Sequence, residues 1–201
     1  MPIFEQQSTA SSRDCSPLAF TCLVEASQTA VYNLCYRMLG EAKEAEDAAQ
    51  ETFLRAYRQF SRYDPTRPFQ PWLFASACRH CIDRLRRRSL FVWLNADEEF
   101  QHPAWRESAP GPEELVLQSE RNERVQELLA RLDPKDRAVI VLRYWYEFSD
   151  QEIAQATGAS TGAVKSRMHR ARKLLAKESM KASGSAYFLT DQLERVFTQV
   201  E

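Results

Sequence analysis

Ser149 stands three residues ahead of Glu152, Gly158 lies six residues beyond that glutamate, and Ser160 and Thr161 follow almost at once. This punctuation confines residues 149–177 to two helices joined by a tight turn. A serine hydroxyl and a glutamate carboxylate at this spacing reciprocally satisfy the free amides of a helix start. Glycine accepts the left-handed conformation that ends a helix, and Ser160 or Thr161 can cap the next one. In that second helix Val164, Met168, Ala171 and Leu175 recur at four, three and four, forming one apolar stripe. Lys165, Ser166, His169, Arg170, Arg172 and Lys173 point elsewhere, and no acidic residue interrupts them between Thr161 and Lys177. A solvated bundle helix would have a similar stripe. The capped first helix and glycine turn favour instead a helix-turn-helix whose second helix enters a DNA major groove and holds phosphates.

The rest of the chain reads as helical too. Five glycines in 201 residues and no alternating β-branched run leave little room for a sheet. One helix is expected from about Leu18 to Leu39, with Phe20, Leu23, Val24, Val31, Leu34 and Met38 inward and Gly40 at its end. A second is expected over Lys43 to Phe60, where Ala45, Ala49, Phe53, Ala56 and Phe60 share a face and the alanines permit close approach. Pro65, Pro68 and Pro71 then predict an extended loop, SRYDPTRPFQ, before a third helix from Trp72 to Arg88 that buries Leu73, Ala77, Cys81 and Leu85. Residues 89–120 hold Pro103, Pro110, Gly111 and Pro112 without sustained periodicity and read as a linker. A helix from Gln118 to Leu132 follows, inward through Val125, Leu128, Leu129 and Leu132. Asp133 and Pro134 then open another that buries Val139, Ile140 and Leu142. The expected architecture is all-α: an N-terminal tail (1–16), two small helical domains (17–88 and 121–178) joined by the linker, and an extension (179–201). The second domain has four helices and ends in the helix-turn-helix.

The formal net charge of -1 conceals segregation. Asp97, Glu98, Glu99, Glu107, Glu113, Glu114 and Glu120 lie in one stretch with Arg106 as the single Lys or Arg, whereas Arg84, Arg86, Arg87 and Arg88 crowd the end of the third helix. Helix-end stabilisation does not require four arginines, and phosphate contact accounts for them better. No apolar run approaches the roughly 20 residues of a membrane helix, and no secretory leader is evident, so a cytoplasmic protein is expected. Five scattered cysteines suit a reducing compartment. Cys78 and Cys81 form the one close pair, and on a helix they more simply fill a packed face than bind metal. No nucleophile–base pair, phosphate-binding glycine loop or metal cluster is present in the sequence, so neither an enzyme nor a cofactor is expected.

Asp47, Gln50, Glu51 and Leu54 share the face of the second helix opposite its buried stripe, a surface suited to a partner protein or simply to solvent.

Three segments in order, AEDAAQETFLRAYRQF (45–60), PWLFASACRHCIDRLRRR (71–88) and LDPKDRAVIVLRYWYEFSDQEIAQATGASTGAVKSRMHRARKLL (132–175), resemble the extracytoplasmic-function (ECF) subgroup of sigma-70-type sigma factors. The resemblance implies a promoter-specificity subunit, serving a stress or envelope-signal regulon, that binds core RNA polymerase and promoter DNA and answers to an anti-sigma factor. It implies that Asp47, Gln50, Glu51 and Leu54, with Arg55 nearby, dock on the clamp helices of the largest polymerase subunit. It assigns the melted minus-10 element to the third helix and the loop before it, with Tyr63, Phe69, Trp72, Phe74, Arg79, Arg84, Arg86 and Arg87 as candidates, exposed aromatics being suited to capturing unstacked bases. The minus-35 element falls to the last helix, through Lys165, Ser166, Arg167, His169, Arg170 and Lys173. Arg167 and Arg172 are expected to support phosphates or the fold. One departure stands out: members often carry Ala-Arg-Asn where this chain has Ala77-Cys78-Arg79. The rival expectation is a free-standing helix-turn-helix regulator that needs no polymerase. In the extension, Thr190 can cap a short helix striped by Leu193, Val196, Phe197 and Val200, which would pack on its own domain or meet a regulator.

Overall fold

The computed structural model describes residues 17–60, 63–64, 68–94 and 113–183. Among them the chain forms seven helices and no strand: α1 (Pro17–Leu39), α2 (Ala42–Gln59), α3 (Phe69–Leu94), α4 (Glu113–Ala130), α5 (Pro134–Trp145), α6 (Asp150–Thr157) and α7 (Thr161–Ser183). The all-α expectation holds. The stretch 97–112 and the striped tail around Leu193 and Phe197 lie outside the described residues.

Local chemistry sets most boundaries. Gly40 takes φ 85° and its N–H bonds to the Tyr36 carbonyl, ending α1. Asp133 accepts from the Lys135 N–H while Pro134 occupies the first turn of α5, where its missing donor is harmless. The Ser149–Glu152 box forms as the spacing predicts: the serine N–H donates to the glutamate at 2.8 Å, and the Glu152 N–H donates to Ser149 Oγ at 3.3 Å. The Ser149 hydroxyl also donates to that carboxylate at 2.6 Å, and this bond, with the one from the Ser149 N–H, holds the Glu152 carboxyl below its ordinary range. Ser160, rather than Thr161, caps α7 through the Ala163 N–H.

Gly158 sits at φ 65°, ψ 32°. A Cβ there would meet nothing within 4 Å, so the demand is purely one of backbone conformation. Gly158→Ala is expected to destabilise the chain by about 1 kcal/mol, read as a lower midpoint in chemical denaturation. An unchanged midpoint would contradict the left-handed cap.

The bounds of α3 and α4 differ from expectation. α3 begins at Phe69, inside the expected loop, because Pro71 falls in a first turn that does not use its N–H. It then runs to Leu94, into the expected linker, and α4 starts at Glu113 rather than near Gln118. Proline-free flanks let both helices extend further than apolar periodicity alone marks.

α1, α2 and α3 pack on one another, with Val31, Leu34 and Met38 of α1 and Leu73, Ala77 and Cys81 of α3 fully buried. Burying a Leu or Met of this kind stabilises by roughly 1.5–3 kcal/mol. The alanine face of α2 is wider than expected, since Ala48 and Thr52 are also buried. The Thr52 hydroxyl is satisfied by the Ala48 carbonyl at 2.7 Å. α5 packs on α6 and α7 through Val139, Ile140, Leu142, Ile153, Val164 and Met168. The two groups of helices also meet: α3 lies against α5 and α6, α1 lies against α5, and the buried residues form one cluster.

Candidate nucleic-acid interface

Helical phase puts Asp47, Gln50 and Leu54 of α2 on the open side, with Leu54 52% exposed although it is apolar. Glu51 accepts from Arg55 Nε at 2.6 Å along the same face, and that bond holds the Glu51 carboxyl low. Tyr57, one further turn along and 56% exposed, extends the surface; sequence reasoning missed it although its spacing from Leu54 marks it. Behind the face stands His80 of α3. Burial, then Arg55 and Arg84, lower its pKa, so the imidazole is neutral at pH 7 and adds no third cation there.

The aromatics expected to stand free before and within α3 do not. Tyr63, Phe69 and Phe74 are buried and Trp72 is half-buried. Tyr63 and Phe69 join Phe20 and Phe60 in an aromatic cluster with centroids 5.0–6.3 Å apart, edge-to-face except for the stacked Phe60–Tyr63 pair, and Trp72 tilts against Tyr63 and Phe69. The reason is geometric: the first turn of α3 folds the end of the proline loop back over α1 and α2.

Phe74 is covered differently. Its ring meets Tyr146 edge-on at 4.6 Å and lies 6.1 Å from Phe148, both from the turn between α5 and α6. The Tyr146 hydroxyl donates to the Ala30 carbonyl of α1 at 2.8 Å, and burial raises its pKa. Arg37 of α1 lies over the Trp145 ring at 4.8 Å. Arg79 donates from Nε to the Ala156 carbonyl at 3.0 Å and from Nη2 to the Gln155 carbonyl at 3.1 Å. Those carbonyls belong to the last turn of α6, where no amide of the helix can reach them and where a cation is favoured. Arg137 of α5 reciprocates by donating to the Met38 carbonyl in the last turn of α1, and burial lowers its pKa to about 10. Each helical group thus caps a helix end of the other.

The cationic end of α3 is more open. Arg86 and Arg87 are exposed, Arg84 is half-buried, and Arg88 lies 4.0 Å from Glu44. Arg86 also reaches a cleft of about 500 Å³ lined by Asp133, Lys135, Asp136, Arg167 and Arg170. On α7, Lys165, Ser166, His169, Arg170 and Lys173 are exposed. Arg167 turns to Asp136 at 2.7 Å, and Arg172 donates to the Tyr144 hydroxyl at 2.8 Å, so both tie α7 to α5.

Cys35, Cys78 and Cys81 lie fully buried where α1 meets α3. Burial pushes the Cys78 thiol up to about 12, and a hydrogen bond with Cys35 together with burial raises Cys81 well above its ordinary value. Thiols in that state fill space. Among the described residues no group of three or more His, Cys, Asp or Glu is placed to hold a metal ion.

Residues 23–91 match the family model for sigma-70 region 2, and residues 122–175 match that for sigma-70 region 4. The ECF RNA polymerase sigma factor SigW of Bacillus subtilis is 38% identical over 165 residues, spanning 80% of this chain and 88% of SigW. This chain belongs to the ECF sigma factors of the sigma-70 family. SigE of Mycolicibacterium smegmatis is 34% identical over 82% of the chain and 64% of SigE. The solved structure of CnrH in complex with the cytosolic domain of CnrY matches with a TM-score of 0.59 and 27% identity, over 84% of this chain and 91% of CnrH. A free-standing regulator gives way as a reading, because α1–α3 of this sigma factor are themselves a region 2. No helix among the described residues is long and apolar enough to cross a membrane.

Proposed function

We propose that this sigma factor binds core RNA polymerase through the open face of α2, with Asp47, Gln50, Glu51, Leu54 and Arg55 supplying the contact and Tyr57 extending it. The single observation that carries the reading is an exposed leucine set among these polar groups on a helix otherwise buried through alanines. Protein interfaces have this anatomy, an apolar centre within a polar rim. Promoter DNA is the second partner. The open side of α7 takes the minus-35 duplex, where Lys165, Ser166, His169, Arg170 and Lys173 meet base edges or phosphates. α3 takes the melted minus-10 strand, with Arg84, Arg86 and Arg87 on phosphates and Arg79, the half-exposed Trp72 and, once region 4 has left, Phe74 on bases, while Tyr63 and Phe69 stay in the aromatic cluster that supports them.

The packed arrangement is the resting form. Arg79 is held by the end of α6 and Phe74 is covered by region 4, so region 4 leaves before minus-10 reading begins. CnrH, solved with the cytosolic domain of CnrY, suggests by likeness a protein inhibitor that holds this form. The chain works in the cytoplasm with the polymerase, takes no cofactor, and leaves bond formation to the core enzyme.

Run-off transcription with core polymerase and a promoter library tests the reading. The expected result is a set of start sites that depends on added chain and shares minus-35 and minus-10 elements. No new start site would refute it.

A further inference from the structure

Asp136 lies in the first turn of α5 and is buried, yet its partners are on the reading helix. Its Oδ1 accepts from Arg167 Nη1 at 2.7 Å and from Arg170 Nη2 at 3.4 Å. Asp133 adds a longer contact, 3.7 Å, to the same Arg167 nitrogen. The two arginines differ in what they leave free. The Arg167 side chain is 23% exposed and is absorbed by the carboxylates, whereas that of Arg170 is 62% exposed and opens on the cleft side of α7.

A guanidinium tethered at one nitrogen still presents another edge with two parallel N–H groups. That fork matches the O6 and N7 acceptors of guanine in the major groove. A free arginine must give up much rotamer freedom to present it, and a buried carboxylate 3.4 Å from one of its nitrogens restricts that freedom beforehand and removes part of the loss. Arg167 contributes by holding the carboxylate itself. We propose that Asp136 is a positioning residue for minus-35 readout: it pre-sets Arg170 as a two-pronged donor that selects guanine at one base pair. The inference rests on the reading of α7 as the minus-35 helix. It adds a specificity determinant from a different helix that never touches DNA.

The test uses the full chain bound to core polymerase and a library randomised across the minus-35 element. Asp136→Asn keeps the volume and loses the charge. Guanine preference is expected to fall about tenfold at one base pair and to stay within about twofold elsewhere. Arg170→Ala should flatten that same base pair, and Asp136→Glu, which restores a carboxylate, should retain the preference there. Equal weakening of every sequence by Asp136→Asn, or loss of the preference in Asp136→Glu equal to that in Asp136→Asn, would reduce Asp136 to a packing role and overturn the proposal. If Arg170→Ala leaves every preference intact, the assignment of Arg170 to base reading is what fails, separately from the buttress.

Discussion

Chains carrying Asp47→Ala and Gln50→Ala together are expected to lose at least about tenfold in affinity for core polymerase while unfolding at the same temperature as the parent. Both side chains are exposed and lie outside the buried face of α2. Leu54→Ala should act in the same direction. Its exposed side chain gains burial only when a partner arrives, so its loss falls on binding rather than on folding. Titration of labelled chain against core polymerase, paired with a thermal melt, separates the two. Unchanged affinity would remove the α2 face from the interface and move polymerase contact elsewhere on region 2.

The second large effect belongs to Phe74. Replacing a buried ring by alanine typically costs about 3–5 kcal/mol, but here the ring is a joint between regions as well as a core residue. Phe74→Ala is therefore expected both to lower the melting temperature and to let region 4 swing away. Small-angle scattering should report a larger radius of gyration, and melting should separate into two transitions. Tyr146→Phe isolates the joint: it deletes the hydroxyl bond to Ala30 and keeps the ring, at about 1 kcal/mol. An unchanged radius in both variants would mean that the polar contacts alone hold the regions together, and Phe74 would count only as core.

What the sequence disclosed and what it withheld divide along a physical line. Cap and turn chemistry is local, so Ser149, Glu152, Gly158, Asp133 and Pro134 could be placed from their neighbours, and the apolar stripes of α1, α2 and α7 followed from helical period. Register at helix ends was less legible, as Phe69 and Gln70 show, because proline forbids a helix interior yet suits a first turn. The candidate faces of α2 and α7 were visible as polar phases. The burial of Tyr63, Phe69 and Phe74 was not, because an aromatic beside a proline loop carries no sign of which surface will cover it. Least visible were the joints between regions. Arg79 meets Ala156 across 77 residues, Arg137 meets Met38 across 99, and Tyr146 meets Ala30 across 116. Contacts to backbone carbonyls leave no complementary residue type for a reader of sequence to find.

If Arg79 serves the minus-10 strand as proposed, the exchange of arginines between helix ends makes promoter affinity conditional. A strand seeking Arg79 meets only the molecules in which α6 has let it go, so the apparent dissociation constant is the intrinsic one divided by that fraction. Were roughly one molecule in a hundred free, a promoter would seem about a hundredfold weaker than its contacts warrant. Anything that loosens Arg137 from Met38, on the far side of the joint, would then tighten promoter binding without making a single new contact to DNA. Docking on the enzyme, by freeing Arg79, would remove that penalty for every promoter at once and so raise apparent affinity without changing how promoters rank.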